Sequence, residues 1–160
     1  AIKNVIIIFG GFMKKEFIVL NADETIELGL KLGNLLDAGD VVLLTGDLSA
    51  GKTTITKGIG KALGVKRVIN SPTFTIVKVY NGRCPLYHLD LYRLDGVNND
   101  FDLEEYIEGD GVCVIEWPYQ VSEILPSEYI KITLERTGDT TRRIIIESVG
   151  SRYDSVIEVL

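Results

Sequence analysis

The sequence predicts a three-layer α/β protein whose mixed central sheet ends in an antiparallel C-terminal hairpin. Three observations predict it. First, a short β-branched run, Val41-Val42-Leu43-Leu44, passes through a glycine-rich loop into a segment with helical apolar spacing. Second, another unbroken apolar run, Val112-Cys113-Val114-Ile115, has the length of a strand buried on both faces. Third, Tyr129 to Leu134 and Arg143 to Glu147 alternate as two antiparallel strands, joined through Thr137-Gly138-Asp139.

The loop between the first run and its helix is the most informative stretch. Gly46-Asp47-Leu48-Ser49-Ala50-Gly51-Lys52-Thr53-Thr54 fits G-x-x-x-x-G-K-[ST], the phosphate-binding loop of nucleoside triphosphatases. The glycines let backbone N–H groups turn inward around a phosphate, and the helix N-terminus adds the positive end of its dipole. Lys52 is expected to reach the β- and γ-phosphates, and the Thr53 hydroxyl to ligate Mg²⁺. The helix that follows carries Ile55, Ile59, Ala62 and Leu63 on one stripe, with Gly64 as its C-cap. The fold is therefore P-loop NTPase-like.

Upstream, Glu16 to Leu20 reads as a strand. Asn21 caps a helix and Glu24 completes a capping box. That helix is expected to run to about Leu36 and to bury Ile26, Leu28, Leu32, Leu35 and Leu36. The turn Asp37 to Asp40 leads into the loop strand. Met13, the only methionine, is followed by Lys14-Lys15-Glu16 like a natural start. Residues 1–12 thus read as an upstream extension or, alternatively, as an extra N-terminal strand.

Downstream, Asn70 to Thr75 is polar, and Pro72 blocks helix continuation. Ile76 to Tyr80 reads as a strand, Asn81-Gly82 as a hairpin signal, and Cys84 to Leu89 as the return strand. Asp95 to Asp102 is turn-like, and a short acidic helix spans Leu103 to Ile107. Gly109-Asp110-Gly111 turns into the strand ending at Glu116. A short helix over Tyr119 to Ile124 and a tail from Ser151, helical or extended, complete the pattern. No repeat or linker interrupts it, so one domain over residues 1–160 is expected.

Composition narrows the function. The chain has 160 residues, 46% hydrophobic and 25% charged, with a net charge of −6. An acidic balance argues against binding nucleic acid alone, since phosphate backbones want a basic face. Cys84 and Cys113 lie far apart without C-x-x-C spacing, as expected of reduced thiols in a cytoplasmic protein. No apolar run approaches the ~18 residues of a membrane span.

A phosphate loop needs an acid near Mg²⁺ and a group to place water. Such acids end strands beside the loop strand, where ligands of open α/β sheets collect. Glu116 follows Val112–Ile115, and Asp90 follows Tyr87-His88-Leu89; both qualify. His88 is the only histidine and reads as a packed or surface residue. Asp100, Asp102, Glu104, Glu105 and Glu108 read as a solvated helix face, and Arg93 as a phosphate contact or a salt-bridge partner. No Asp has Gly three residues on and no [NT]-K-x-D segment occurs, so ATP is favoured over GTP.

Together the phosphate loop, Ser71-Pro72-Thr73-Phe74-Thr75, His88-Leu89-Asp90-Leu91-Tyr92-Arg93-Leu94 and Glu116-Trp117-Pro118 occur in an order that resembles the bacterial TsaE (YjeE) family. The resemblance covers about Met13 to Val149. It implies an ATPase working with TsaD and TsaB, after TsaC makes threonylcarbamoyl-adenylate. The product it implies is N6-threonylcarbamoyladenosine at position 37 of tRNAs reading codons that begin with A, with tRNA engaged through the complex. It implies ATP/ADP bound along Asp47, Leu48, Ser49, Ala50, Gly51, Lys52, Thr53 and Thr54, Mg²⁺ ligands at Thr53 and Glu116, and an essential Asp90. It also implies a switch segment carrying Ser71, Thr73 and Thr75, and nucleotide contacts near Asp23 to Thr25 and Arg136 to Thr137. Two positions depart from the family pattern: Ser49 replaces a usual Gly and Phe74 a commoner Tyr. A small-molecule kinase and a nucleotide-dependent binding module without significant turnover are the rival readings. An arginine-rich lid, which the kinase would use, is not evident; Arg142-Arg143 is the only adjacent arginine pair and sits in a strand pattern.

Overall fold

The computed structural model describes residues 2–9, 12–47, 49–71, 77–91, 103–116 and 125–160. In chain order the elements are β1 (Lys3–Phe9), β2 (Phe12–Val19), α1 (Ala22–Gly33), β3 (Val41–Gly46), α2 (Lys52–Ala62), β4 (Val77–Tyr80), β5 (Leu86–Asp90), α3 (Leu103–Ile107), β6 (Val112–Glu116), β7 (Tyr129–Arg136) and β8 (Arg142–Val149). A 3-10 turn, Ser151–Tyr153, then leads into α4 (Asp154–Val159). The expected helix over 119–124 and the turn over 95–102 lie outside the described residues, as do Leu48, Thr73, Thr75, Arg93, Asp100 and Asp102.

One eight-stranded sheet runs β1-β2-β8-β7-β3-β6-β5-β4. Its centre, β7-β3-β6-β5, is parallel, and both flanks are antiparallel. The parallel centre explains the unbroken apolar runs: Val41, Val42, Leu43, Leu44 and Val112 to Ile115 are at most 2% exposed because both faces are covered. On one face Val42, Leu44, Val112 and Val114 pack with Leu28, Leu32, Ile55 and Ile59 of α1 and α2. On the other, Val41, Leu43, Cys113 and Ile115 pack with Leu103 and Ile107 of α3. Burial of a Leu or Ile side chain stabilises by about 2 kcal/mol, so the two faces hold the sheet between them.

Three boundaries differ from the sequence reading, each through a distant partner. The strand expected over 16–20 is β2, which starts at Phe12 and pairs with both β1 and β8. Lys15, which reads as polar, is buried because its ammonium donates to the carbonyls of Glu158 and Leu160 at the end of α4, at 3.1 and 2.8 Å. Residues 3–9 form the additional edge strand. Helix α1 stops at Gly33 rather than Leu36, since Arg83 donates to the Gly33 and Leu36 carbonyls. The connection between Tyr80 and Leu86 spans residues 81–85 rather than 81–83, because Arg83 N–H is held by the Leu63 carbonyl at 2.7 Å.

The buried line of α1 also runs differently. Ile26 and Leu35 are half-buried, while Thr25, Leu28, Gly29, Leu32 and Gly33 are buried. The two glycines are where α2 crosses. A Cβ on Gly29 would lie 2.4 Å from the Ile55 carbonyl, and one on Gly58 would lie 2.2 Å from the Ile26 carbonyl. The backbones therefore meet directly, which brings the start of α1 beside the start of α2.

Candidate functional site

The glycine-rich loop closes the carboxyl end of β3. Gly46 pairs with Leu134 of β7, and any Cβ at Gly46 would sit 2.6 Å from the Leu134 carbonyl. Ala50 is 1% exposed and its N–H donates to the Asp47 carbonyl at 3.1 Å, which folds the loop into a turn. Gly51 then enters α2 at φ 108, a left-handed conformation suited to glycine, and a Cβ there would lie in ordinary contact, 3.6 Å from Leu134 Cδ2. As N-cap it offers no side-chain acceptor, and no acidic residue lies in the first turn. The helix start thus keeps its donors and its positive dipole end uncompensated by side chains.

Ser49 adopts φ 67, so the position where the resemblance leads one to expect Gly is left-handed here. Its carbonyl accepts from Arg142 Nη2 at 3.2 Å, and Arg142 Nη1 also holds the Gly138 and Thr141 carbonyls at 3.0 and 2.8 Å. Arg142 therefore ties the loop to the β7–β8 turn. Sequence reasoning assigned Arg142 to a strand and missed this contact; nothing in local spacing signals it. Arg136, at the end of β7, donates within the same turn to the Gly138 carbonyl at 3.2 Å and lies in register with Arg142.

Lys52 bends back over the loop, with Nζ 2.8 Å from the Gly46 carbonyl. Its ammonium caps the mouth of the loop, where a phosphate would compete for it. Thr53 and Thr54 follow in the first turn and are half-buried. Thr25 is 2% exposed; its hydroxyl donates to the Asn21 carbonyl at 3.4 Å, and its methyl faces Gly51, 3.9 Å from an ideal Cβ there. The crossing of α1 and α2 accounts for this meeting. Asp23 and Asp47 are exposed. Ser71 is exposed as well, while Thr73 and Thr75 lie outside the described residues.

The two candidate acids are brought together. Asp90 and Glu116 are register partners at the carboxyl ends of β5 and β6, and Glu116 also pairs with Leu44, two residues before Gly46. Parallel neighbours lie about 4.8 Å apart, so both carboxylates leave the sheet side by side on the face that carries α2. Glu116 is 6% exposed. Its ionic neighbour among the described residues is His88, with Nε2 3.7 Å from Oε2. His88 lies on the same face, 0% exposed, and among the described residues neither ring nitrogen has a hydrogen-bond partner. A strand reading of Leu86 to Asp90 with period two would have put His88 and Asp90 on one face, a signal the sequence does hold.

Among the described residues no lysine or arginine is ion-paired with Glu116, and a nearly buried carboxylate in that setting suits a bound cation. Among the described residues no three His, Cys, Asp or Glu side chains converge as a metal cage. The two carboxylates and the Thr53 hydroxyl are all oxygen donors, a chemistry that fits Mg²⁺ completed by water and phosphate rather than a transition metal. Glu104, Glu105 and Glu108 of the acidic run are solvent-exposed on and just after α3, as read from the sequence. No described helix is long and apolar enough to cross a membrane.

The family described as "Threonylcarbamoyl adenosine biosynthesis protein TsaE" matches residues 19–144. A "tRNA threonylcarbamoyladenosine biosynthesis protein TsaE" from Bacillus subtilis is 46% identical over 142 residues, covering 88% of this chain and 90% of that one. The protein of the same name from Treponema pallidum is 44% identical over 128 residues, covering 79% and 95%. The crystal structure of Bacillus subtilis YdiB superposes with a TM-score of 0.80 at 38% identity, covering 99% of this chain and 95% of that one.

Proposed function

The chain belongs to the TsaE family of threonylcarbamoyl adenosine biosynthesis proteins, and from that premise we propose that it binds and hydrolyses Mg-ATP in the threonylcarbamoyladenosine modification of tRNA, acting with TsaD and TsaB. The observation that carries this reading is the pairing of Asp90 with Glu116 beside a phosphate loop whose helix starts without a cap.

Each residue has a role in it. The N–H groups from Asp47 to Thr54 bind the phosphates of ATP or ADP. Lys52 exchanges the Gly46 carbonyl for the β- and γ-phosphates. Thr53, Glu116 and Asp90 would hold Mg²⁺, which when bound neutralises charge on the transferring phosphoryl group. Asp90 also accepts a hydrogen bond from the attacking water and so orients it. Thr25 closes one side of the loop. The segment carrying Ser71, Thr73 and Thr75 reports the nucleotide state to the partner proteins. The net charge of −6 is in keeping with leaving tRNA to those partners.

The test is phosphate release from Mg-ATP by the chain alone and with a TsaB–TsaD pair. Low release that rises strongly with the pair is the expected result. Release that ignores the pair would leave a bare nucleotide-binding protein, and transfer to a metabolite would mark a kinase. Glu116→Ala should abolish release while sparing much of ADP binding; unchanged turnover would remove Glu116 from the site.

A further inference from the structure

We propose that His88 is a positioning residue for Glu116: its imidazole donates Nε2–H to Glu116 Oε2 and fixes the carboxylate toward the bound cation. The proposal rests on the Mg-nucleotide reading above. It starts from an anomaly. A histidine that is 0% exposed, between the fully buried Leu86 and Leu89 on its strand, leaves both ring nitrogens without a hydrogen-bond partner among the described residues. Such atoms are rare in folded proteins, and an apolar side chain would fill the same space at lower cost. The position is therefore poor for packing and needs another reason.

The geometry supplies one. His88 precedes Asp90 by two residues, so the two share a face, and Asp90 pairs with Glu116. Nε2 stands 3.7 Å from Oε2 of Glu116, about 0.8 Å beyond an ordinary N–H···O bond. A small rotation of the carboxylate closes that gap. Closure satisfies one orphaned nitrogen, selects the tautomer protonated at Nε2, and leaves the second carboxylate oxygen for the cation. Groups that orient a metal ligand in this way tune affinity without touching the metal.

The chain has one histidine, so its imidazole is observed without ambiguity. In a ¹H–¹⁵N spectrum the Nε2–H proton should move downfield when Mg-ADP is added to the wild type, and should not move in Glu116→Gln. In parallel, binding of a fluorescent ADP analogue is titrated with Mg²⁺ and repeated in EDTA. His88→Leu should raise the Mg²⁺ needed for half-maximal binding by about 10-fold or more, leave binding in EDTA unchanged, and leave Tm unchanged or higher. His88→Gln, whose amide nitrogen reaches the same place, should restore most of the Mg²⁺ response. A wild-type Mg²⁺ response in His88→Leu, with that of Glu116→Gln impaired, would make His88 a packing residue and overturn the proposal alone. Nucleotide binding indifferent to Mg²⁺ in the wild type would overturn the metal reading and this proposal together. Should His88→Leu fail to fold, an unmoved wild-type imidazole signal overturns the proposal and a moved one supports it.

Discussion

Helices α1 and α2 lie against each other through glycines, are 12 and 11 residues long, and begin on the same side of the sheet, yet their N-termini are built oppositely. At α1, Asn21 is extended (φ −160, ψ 174) and its side chain accepts from Glu24 N–H at 2.9 Å. Glu24 reaches back to Leu20 N–H at 2.8 Å, and Asp23 and Glu24 place negative charge in the first turn. At α2, Gly51 is left-handed, offers no side-chain acceptor, and is followed by a lysine. One helix start is finished by its own sequence. The other starts without a side-chain cap or an acidic residue in its first turn. Under the proposed function, the difference separates a stabilising terminus from a binding terminus within one pair of packed helices.

The largest effects should come from the open terminus. Lys52→Ala removes the cation over the loop and should lower ATP turnover by about 10²–10³-fold, in the range of lost transition-state contacts. Its exposed bond to the Gly46 carbonyl is local, so stability should change by under about 0.5 kcal/mol. Gly51→Ala tests the loop conformation: at φ 108 it should cost about 1–2 kcal/mol and weaken nucleotide binding too. Phosphate release and thermal unfolding measure both. A Lys52→Ala protein with intact turnover would remove the distinction between the two helix starts.

How much of this was legible differs between the same regions. The capping box, the phosphate loop, the Gly64 cap and the two acid-ended strands all rest on neighbours close in sequence. The Schellman turn at Gly64, with Val65 N–H on the Gly60 carbonyl at 2.9 Å, is local in the same way. What the sequence did not show depends on contacts across the chain. Arg142 reaches Ser49, Arg83 ends α1, Lys15 caps α4, and Gly29 meets Gly58, all through partners tens of residues away. His88 lies between: its face follows from alternation, but its burial follows only from β4, β6 and the α2 face closing over it.

The finished terminus should give a moderate effect on stability alone. Asn21→Ala removes the cap and should cost about 1 kcal/mol by denaturant unfolding, with nucleotide binding unchanged. Acid should act on the same box. The Leu20 N–H held by Glu24 keeps that carboxyl below its ordinary 4.5, and Arg143 does the same for Glu16. A carboxylate depressed in the folded state contributes stability that is present above 4.5 and is lost as pH falls through the folded value. Unfolding midpoints should therefore decline below that pH. Glu24→Gln, which keeps an acceptor but cannot titrate, should flatten part of the decline; an unaltered profile would take Glu24 out of it.

The smallest expected effect sharpens the comparison most, because it asks whether the open terminus holds strain. Asn21 enters α1 through ordinary extended backbone, whereas Ser49 lies at φ 67 in the loop before α2. A non-glycine residue there costs about 1–2 kcal/mol, and glycine gives back about 0.5–1 kcal/mol through its freer unfolded chain. Ser49→Gly should therefore raise stability by about 1 kcal/mol or less. Arg142 grips the Ser49 carbonyl rather than its side chain, so the loop should keep its shape and its affinity for ADP. Unfolding curves and ADP titrations of the same variant decide it. A gain in stability with unchanged affinity means that the strain is incidental to binding. A gain accompanied by weaker binding means that Ser49 holds the loop in the shape the phosphates need, which Arg142 alone would then not secure.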